Sequence, residues 1–427
     1  MKLRKDLNAT AFIKSIFEKF SKIPEANTIW NSNFISITDC LMSCFAVFSL
    51  KWPSLLQFDK QRRQEATLQN LKNLYFIKTP PSDTYMRERL DEVDPNSIRP
   101  AFKKIFATLQ RGKVLEPYQF LGGYHLISID GTGHFSSSKV HCENCCVKKY
   151  QDGSILSYYH QMLSAVLVHP DQNQVIPMCP EPIINHVNAS KNDCEQNASR
   201  RILEHIRREH PHLKIILVQD ALYDCGPNIR QLESLAMKYI IVRKGEPLKW
   251  GDQDKIENYE FADKEGIIHR YRFRNDNTLN DRHKDIKTNI FEHRFVTKKG
   301  KERYGCWITN IHITKDNVHR LMRGGRARWK IENETFNTLK NQGYNFEHNY
   351  GHGNKNLCTV MSFLMLLAFL VDQAQQLSCA IFKAAREKRR TFYELWETMR
   401  VYFRDFVWDS WEGFLLVIAQ RKVINTS

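Results

Sequence analysis

The chain has 427 residues, enough for two or three domains with a sizeable core, and its 42% hydrophobic and 26% charged residues are ordinary for a globular protein. Lysine and arginine number 63 against 47 aspartates and glutamates, and the basic residues run along the whole length instead of forming one tail. This excess points to a polyanionic partner, most simply nucleic acid. Eleven cysteines, an odd number, with no charged segment leading into an apolar run at the start, argue against a secreted disulfide framework and for reduced thiols in a cytoplasm. The long apolar run Leu357 to Val371 is too short for a bilayer core of roughly 30 Å and reads as a buried helix.

Residues 1–112 read as helical. Asn8 caps a helix whose Phe12, Ile13, Ile16, Phe17 and Phe20 recur at helical spacing, and Ile37 to Leu50 is a second, more apolar helix. Lys60 to Arg63 is a short basic cluster. PSDTYMRERLDEVDP, from Pro81, offers Ser82 or Asp83 as an N-cap and a proline stop, and a basic helix with Phe102, Ile105 and Leu109 on one side follows to Arg111. The region reads equally as a DNA-binding or dimerisation module and as a structural collar.

From Leu121 the pattern turns to strands. LGGYHLISID is an apolar run ending on Asp130 and followed by GTG, which puts the acid where a strand leaves the core. Tyr158 to His169, a turn, and Gln174 to Met178 continue an antiparallel meander. Asn192 or Asp193 then caps a helix to about Glu209, and Lys214 to Asp220 (KIILVQD) is a buried strand ending on a second acid. A helix from Asn228 and a strand at Tyr239 to Val242 repeat the βα pattern. Residues 249–315 carry alternating stretches such as IIHRYRFR and FEHRFV, an inserted antiparallel module beginning near Trp250. Asp316 or Asn317 caps the next helical region, which spans 316–372, and 373–427 is helical to about Arg421.

The stretch RARWKIENETFNTLKNQGY, from Arg326, holds a carboxylate out of place. At about 100° per residue, Trp329, Phe336 and Leu339 share a core face, and Glu332 falls on it while Glu334 projects across the helix. A buried carboxylate costs several kcal/mol unless compensated, and Arg328, one turn earlier, can pair with it or with a phosphate beside it. Asp130, Asp220 and Glu332 thus form a three-acid set, two on strand ends and one on a helix. Hard oxygen donors in that arrangement suit two Mg²⁺ or Mn²⁺ ions and phosphoryl transfer. A single strand-end aspartate is an ordinary turn cap; the combination carries the reading.

IDGTG at Asp130, VQDALY at Asp220 and RWKIENETFNTLKNQGYN around Glu332 resemble the three blocks of DDE transposases encoded by bacterial insertion sequences. PSDTYMRERLDEVDP, HCENC and KNDCE (Lys191 to Glu195) resemble features of one subgroup. The resemblance covers roughly residues 80–355. It implies an α/β protein whose RNase H-like mixed sheet, flanked by helices, spans 121–248 and 316–372 around the β-rich insertion, with helical regions at both termini. It further implies a bacterial, nucleoid-associated enzyme, a homodimer on DNA, that uses Mg²⁺ or Mn²⁺ to cut double-stranded DNA at the element's terminal repeats and joins the 3′ ends to target DNA. Asp130, Asp220 and Glu332 would be the catalytic metal ligands; Arg326, Arg328 and Lys340 would contact DNA. An RNase H-like nuclease that cuts without joining, and a domesticated DNA-binding protein, are the rival readings.

Two departures stand out. Related transposases carry Tyr, Arg, Glu and Lys with two, three and six residues between them; here Gly325 replaces the tyrosine and Lys340 comes one residue late. His141, Cys142, Cys145 and Cys146 include a Cys-x-x-Cys, but the second well-spaced pair of a structural zinc site is not evident. His348 and His352 have i, i+4 spacing, yet the neighbouring glycines favour a loop, for DNA contact or plain structure.

Overall fold

The computed structural model describes residues 5–25, 34–184, 192–244, 255–348 and 350–420. Lys191 of KNDCE, the expected start of the insertion at Trp250, and Arg421 lie outside the described residues. Among the described residues, twelve strands share one sheet: β1 (Gln119–Phe120), β2 (Tyr124–Ser137), β3 (Cys146–Lys149), β4 (Ile155–Val168), β5 (Ile176–Pro177), β6 (Glu181–Ile183), β7 (Ile215–Gln219), β8 (Lys238–Val242), β9 (Glu257–Ala262), β10 (Ile268–Thr278), β11 (Lys287–Val296) and β12 (Glu302–Thr309). Its main order is β3-β4-β2-β7-β8-β12-β11-β10-β9.

β2, β7 and β8 are parallel, whereas β4 runs antiparallel to β2. The parallel strand β7 is buried at all five positions, as expected of a strand covered on both faces. Helices Glu195–Glu209 and Gly226–Ser234 make the connections that parallel neighbours require. This is the RNase H-like mixed sheet with flanking helices. The insertion is antiparallel, and it continues the same sheet, because β12 pairs with β8 from Trp307↔Val242 to Thr309↔Ile240. Along β10, His269, Tyr271 and Phe273 point inward and Arg270 and Arg272 outward.

Two local expectations are corrected. β2 does not stop at Asp130 but runs seven residues further, to Ser137, with a register shift after Gly133. The helix Glu195–Glu209 has Cys194 at its N-cap with no side-chain cap; Asp193 instead pairs with Arg201 at 2.7 Å, and Asn192 Nδ2 donates to the Val147 carbonyl at 2.7 Å.

The helix Leu357–Ser378 is long and apolar enough to cross a membrane, but it is buried within the protein. It packs against Ile37–Ser49, Asp83–Asp91 and Arg99–Arg111. Lys51 and Asp372 form a fully enclosed ion pair, with Tyr344 Oη donating to the same carboxylate and Trp396 under the ammonium at 3.8 Å. The family-like stretch PSDTYMRERLDEVDP has a structural task here. Asp91 accepts the backbone N–H groups of Asn354, Lys355, Asn356 and Leu357 at 2.8–3.0 Å, closing the open N-terminus of the long helix. Asp91→Ala is therefore expected to lower the unfolding free energy by about 2 kcal/mol; urea denaturation at neutral pH measures it.

Candidate active site

Asp130 stands in β2 opposite Ser164 of β4. β2 and β7 pair as far as Ser128↔Val218, so Asp130 and Asp220 lie two residues beyond the same point on neighbouring strands. Asp130 Oδ1 accepts the Gly131 N–H at 2.9 Å, and Asp220 Oδ1 accepts the Leu222 N–H at 2.7 Å. Lys244 Nζ is 3.9 Å from Asp220 Oδ2.

Glu332 reaches Asp130 through a shared guanidinium. Arg328 Nη1 is 3.2 Å from Asp130 Oδ2 and 3.0 Å from Glu332 Oε1. The Arg328 side chain is buried, whereas the Glu332 side chain is 37% exposed, so the carboxylate opens to solvent above the guanidinium. Ser128 Oγ donates to the Arg328 carbonyl at 3.2 Å, fastening the helical segment to β2.

That segment is not a regular α-helix. A 3-10 turn at Ala327–Trp329 is followed by π-helix over Ile331–Phe336, then α-helix from Asn337 to Asn341. The expected core face therefore fails at Trp329, and Glu332, expected on it, is only half-buried. Trp329 is 55% exposed and lies beside the Arg328 guanidinium at 4.9 Å, while Ile331, Phe336 and Leu339 face inward. A 100° wheel does not hold across two changes of helix type. π turns are rare and recur at functional sites. Because a π turn takes up about one more residue than an α turn, the eight-residue step from Glu332 to Lys340 covers about the rotation of seven α-helical residues. Lys340 Nζ is held 2.7 Å from Glu347. Glu334 lies apart from the acids, in a cleft with Thr338, Gln342 and Trp396.

Gly325 has a steric reason to lack a side chain. A Cβ there would lie 2.6 Å from Trp307 Nε1 of β12, so a tyrosine does not fit. Arg326 is exposed, with its guanidinium 5.1 Å from the Phe295 ring of the insertion.

One acid was not assigned a role from the sequence. Glu195, the last residue of KNDCE, opens its helix so close to Gly131 that a Cβ on that glycine would collide with its carboxylate. Burial, opposed by Arg328 and reinforced by Glu332 and Glu195, pushes Asp130 up to about 6. Burial and Asp220 raise Glu195 in turn. Burial, then Glu195, Asp130 and Asp220, push up the phenol of Tyr223. Four carboxylates thus converge around one region with one clear cationic partner for Asp130 and Glu332. A set of hard oxygen donors with mutual repulsion is suited to a divalent cation.

The family model of the transposase DDE domain matches residues 147–369, a span that begins after Asp130 and contains Asp220, Arg328, Glu332 and Lys340. Comparison with curated proteins gives no match. With half of its length matched, and with an RNase H-like sheet carrying the acids, the chain belongs to the DDE transposase family.

Proposed function

We propose that the protein binds the terminal repeats of an insertion sequence, cuts there, and joins the freed 3′ ends to target DNA, acting as a homodimer that brings two ends together. The observation that carries this reading is the shared contact of Arg328 with Asp130 of β2 and with Glu332, next to β7, which leads directly into Asp220. Asp130, Asp220 and Glu332 would hold two Mg²⁺ or Mn²⁺ ions. Such ions, when bound, supply the acidity that turns water or a 3′ hydroxyl into a nucleophile and offset charge on the leaving oxygen. Arg328 keeps Glu332 directed at Asp130 and offers its guanidinium to the scissile phosphate. Glu195 adds negative charge next to Asp220. Glu195→Gln is thus expected to raise the Mg²⁺ concentration for half-maximal cleavage several-fold with little change at saturation; an unchanged Mg²⁺ dependence would remove Glu195 from the site.

DNA binding is supported by the outer face of the insertion. Arg270 and Arg294 stand opposite each other there, Arg272 and Arg294 share Glu292 at 3.8 and 3.7 Å, and the exposed Tyr304 lies under Arg294. Lys298, Lys299 and Lys301 extend it at a hairpin tip. With the basic N-terminal helices, this face is expected to grip the phosphate backbone, so log affinity for end DNA should fall with log salt by about 0.9 per phosphate contacted. Filter binding from low to moderate salt measures the slope; a flat line would exclude backbone gripping.

A joining assay separates transposase from nuclease. Pre-cut element ends with a free 3′ hydroxyl, incubated with the protein, Mg²⁺ and a supercoiled plasmid, should become covalently attached to the plasmid. Nicked or linear plasmid without attached ends would favour the nuclease.

A further inference from the structure

The Cys-x-x-Cys that lacked a second pair in the sequence finds one in space. Cys142, Cys145, His160 of β4 and His352 place their ligand atoms within 4.8 Å of one another, with all but Cys142 buried. Cys142 Sγ and Cys145 Sγ are 3.9 Å apart, and each lies close to His160 Nε2, at 3.4 and 3.3 Å. His352 Nε2 is 3.3 Å from Cys145 Sγ and 3.2 Å from His160 Nε2. A zinc ion held at about 2.3 Å by sulfur and about 2.0 Å by nitrogen sets tetrahedron edges of about 3.8 Å between sulfurs, about 3.5 Å between sulfur and nitrogen and about 3.3 Å between nitrogens. The observed edges follow that pattern.

We propose that Cys142, Cys145, His160 and His352 form a structural zinc site, separate from the carboxylate cluster. The local geometry favours a metal over the alternatives. The two sulfurs are too far apart for a disulfide, whose bond is about 2.05 Å. The Cys142 N–H lies 3.5 Å from Cys145 Sγ and the Cys145 N–H 3.2 Å from the Cys142 carbonyl, a turn that aims both sulfurs to one side. His352 Nδ1 bonds the Gly353 carbonyl at 2.8 Å, which fixes the proton on that nitrogen and leaves Nε2 free to ligate. Two thiolates and two imidazoles suit zinc, and four protein ligands close the coordination sphere, which marks a structural centre.

The site joins parts of the chain that are 192 residues apart at its histidines. It would tie the edge of the sheet to the segment between the Glu332 helix and the long buried helix. Asn144 Nδ2 already donates to the Lys355 carbonyl at 2.9 Å, and Asp91 caps the same segment. Zinc there would anchor, through His352, the chain that follows the Glu332 helix, while Ser128 holds the Arg328 end of that helix independently of the metal.

The test uses full-length protein purified without chelator. Elemental analysis should give one zinc per chain, and cobalt exchanged into the protein should show the strong visible bands and thiolate charge transfer of a tetrahedral Cys2His2 site. Cys142→Ser and His352→Ala should each lose the bound metal, whereas Cys146→Ser, altering the adjacent thiol, and Asp130→Ala, altering the carboxylate cluster, should keep it. If a ligand variant fails to fold, the cobalt spectrum of the unmodified protein still decides. Folded protein without zinc or cobalt uptake, a cobalt spectrum without thiolate bands, or zinc lost in Asp130→Ala would each overturn the proposal.

Discussion

Replacing Asp130, Asp220 or Glu332 by alanine is expected to reduce cleavage of labelled end DNA at least about 1,000-fold, about 4 kcal/mol in barrier, while end binding changes only a few-fold. On the proposed reading, the loss follows from removing a ligand of the ions at the reacting phosphate, while phosphate contacts made by arginines and lysines elsewhere would persist. Asp130 also offers a check on folding. Its carboxyl is raised to about 6, chiefly by burial, so at neutral pH the charged form costs stability, and Asp130→Ala should melt no lower than the parent. Glu334→Ala serves as the paired control, because Glu334 lies in the cleft with Thr338 and Gln342 and should leave the rate nearly unchanged. A Glu334 defect as deep as that of Glu332 would reassign the helix face.

Arg328→Ala is expected to slow cleavage by about two orders of magnitude, the loss that accompanies removal of one oriented donor at a developing charge. Arg328 is buried and bonded to two of the three acids, so its removal both frees Glu332 and leaves Asp130 without its cation. Lys340 differs in kind. Its ammonium is paired with the exposed Glu347, and on the proposed reading it contacts flanking DNA backbone, so Lys340→Ala should cost less, and lowering the salt should recover part of the rate. Single-turnover rates of both variants at two salt concentrations check this; equal losses, insensitive to salt, would refute the division of labour.

Much of this architecture was legible in the residues. The strand before Asp220 is a continuous apolar run, and the alternation in the insertion announces antiparallel strands. What was not legible has physical causes. IDGTG reads as a strand end, yet Gly131 lies within β2, where the lack of a Cβ leaves room for Glu195. Glu195 itself, at the first turn of a helix, looks like an ordinary dipole partner until the fold brings it to the acids. Trp329 leaves the expected face because 3-10 and π turns interrupt the α period, and the same π turn absorbs the late position of Lys340. The partners of Cys142 and Cys145 are hidden because His160 sits alone in a strand and the spacing of His352 points to His348, whereas only folding brings His160 and His352 to the cysteines.

Sulfur substitution at the scissile phosphate tests the central claim, that these acids place divalent ions on the reacting phosphate, most directly. End DNA with a phosphorothioate at the cleavage position should be cut far more slowly than normal DNA in Mg²⁺, and the softer Mn²⁺ should restore much of the rate, since sulfur is a poor ligand for the hard ion. Equal cutting of sulfur-substituted and normal ends in Mg²⁺, for both stereoisomers, with no added benefit from Mn²⁺, would contradict it.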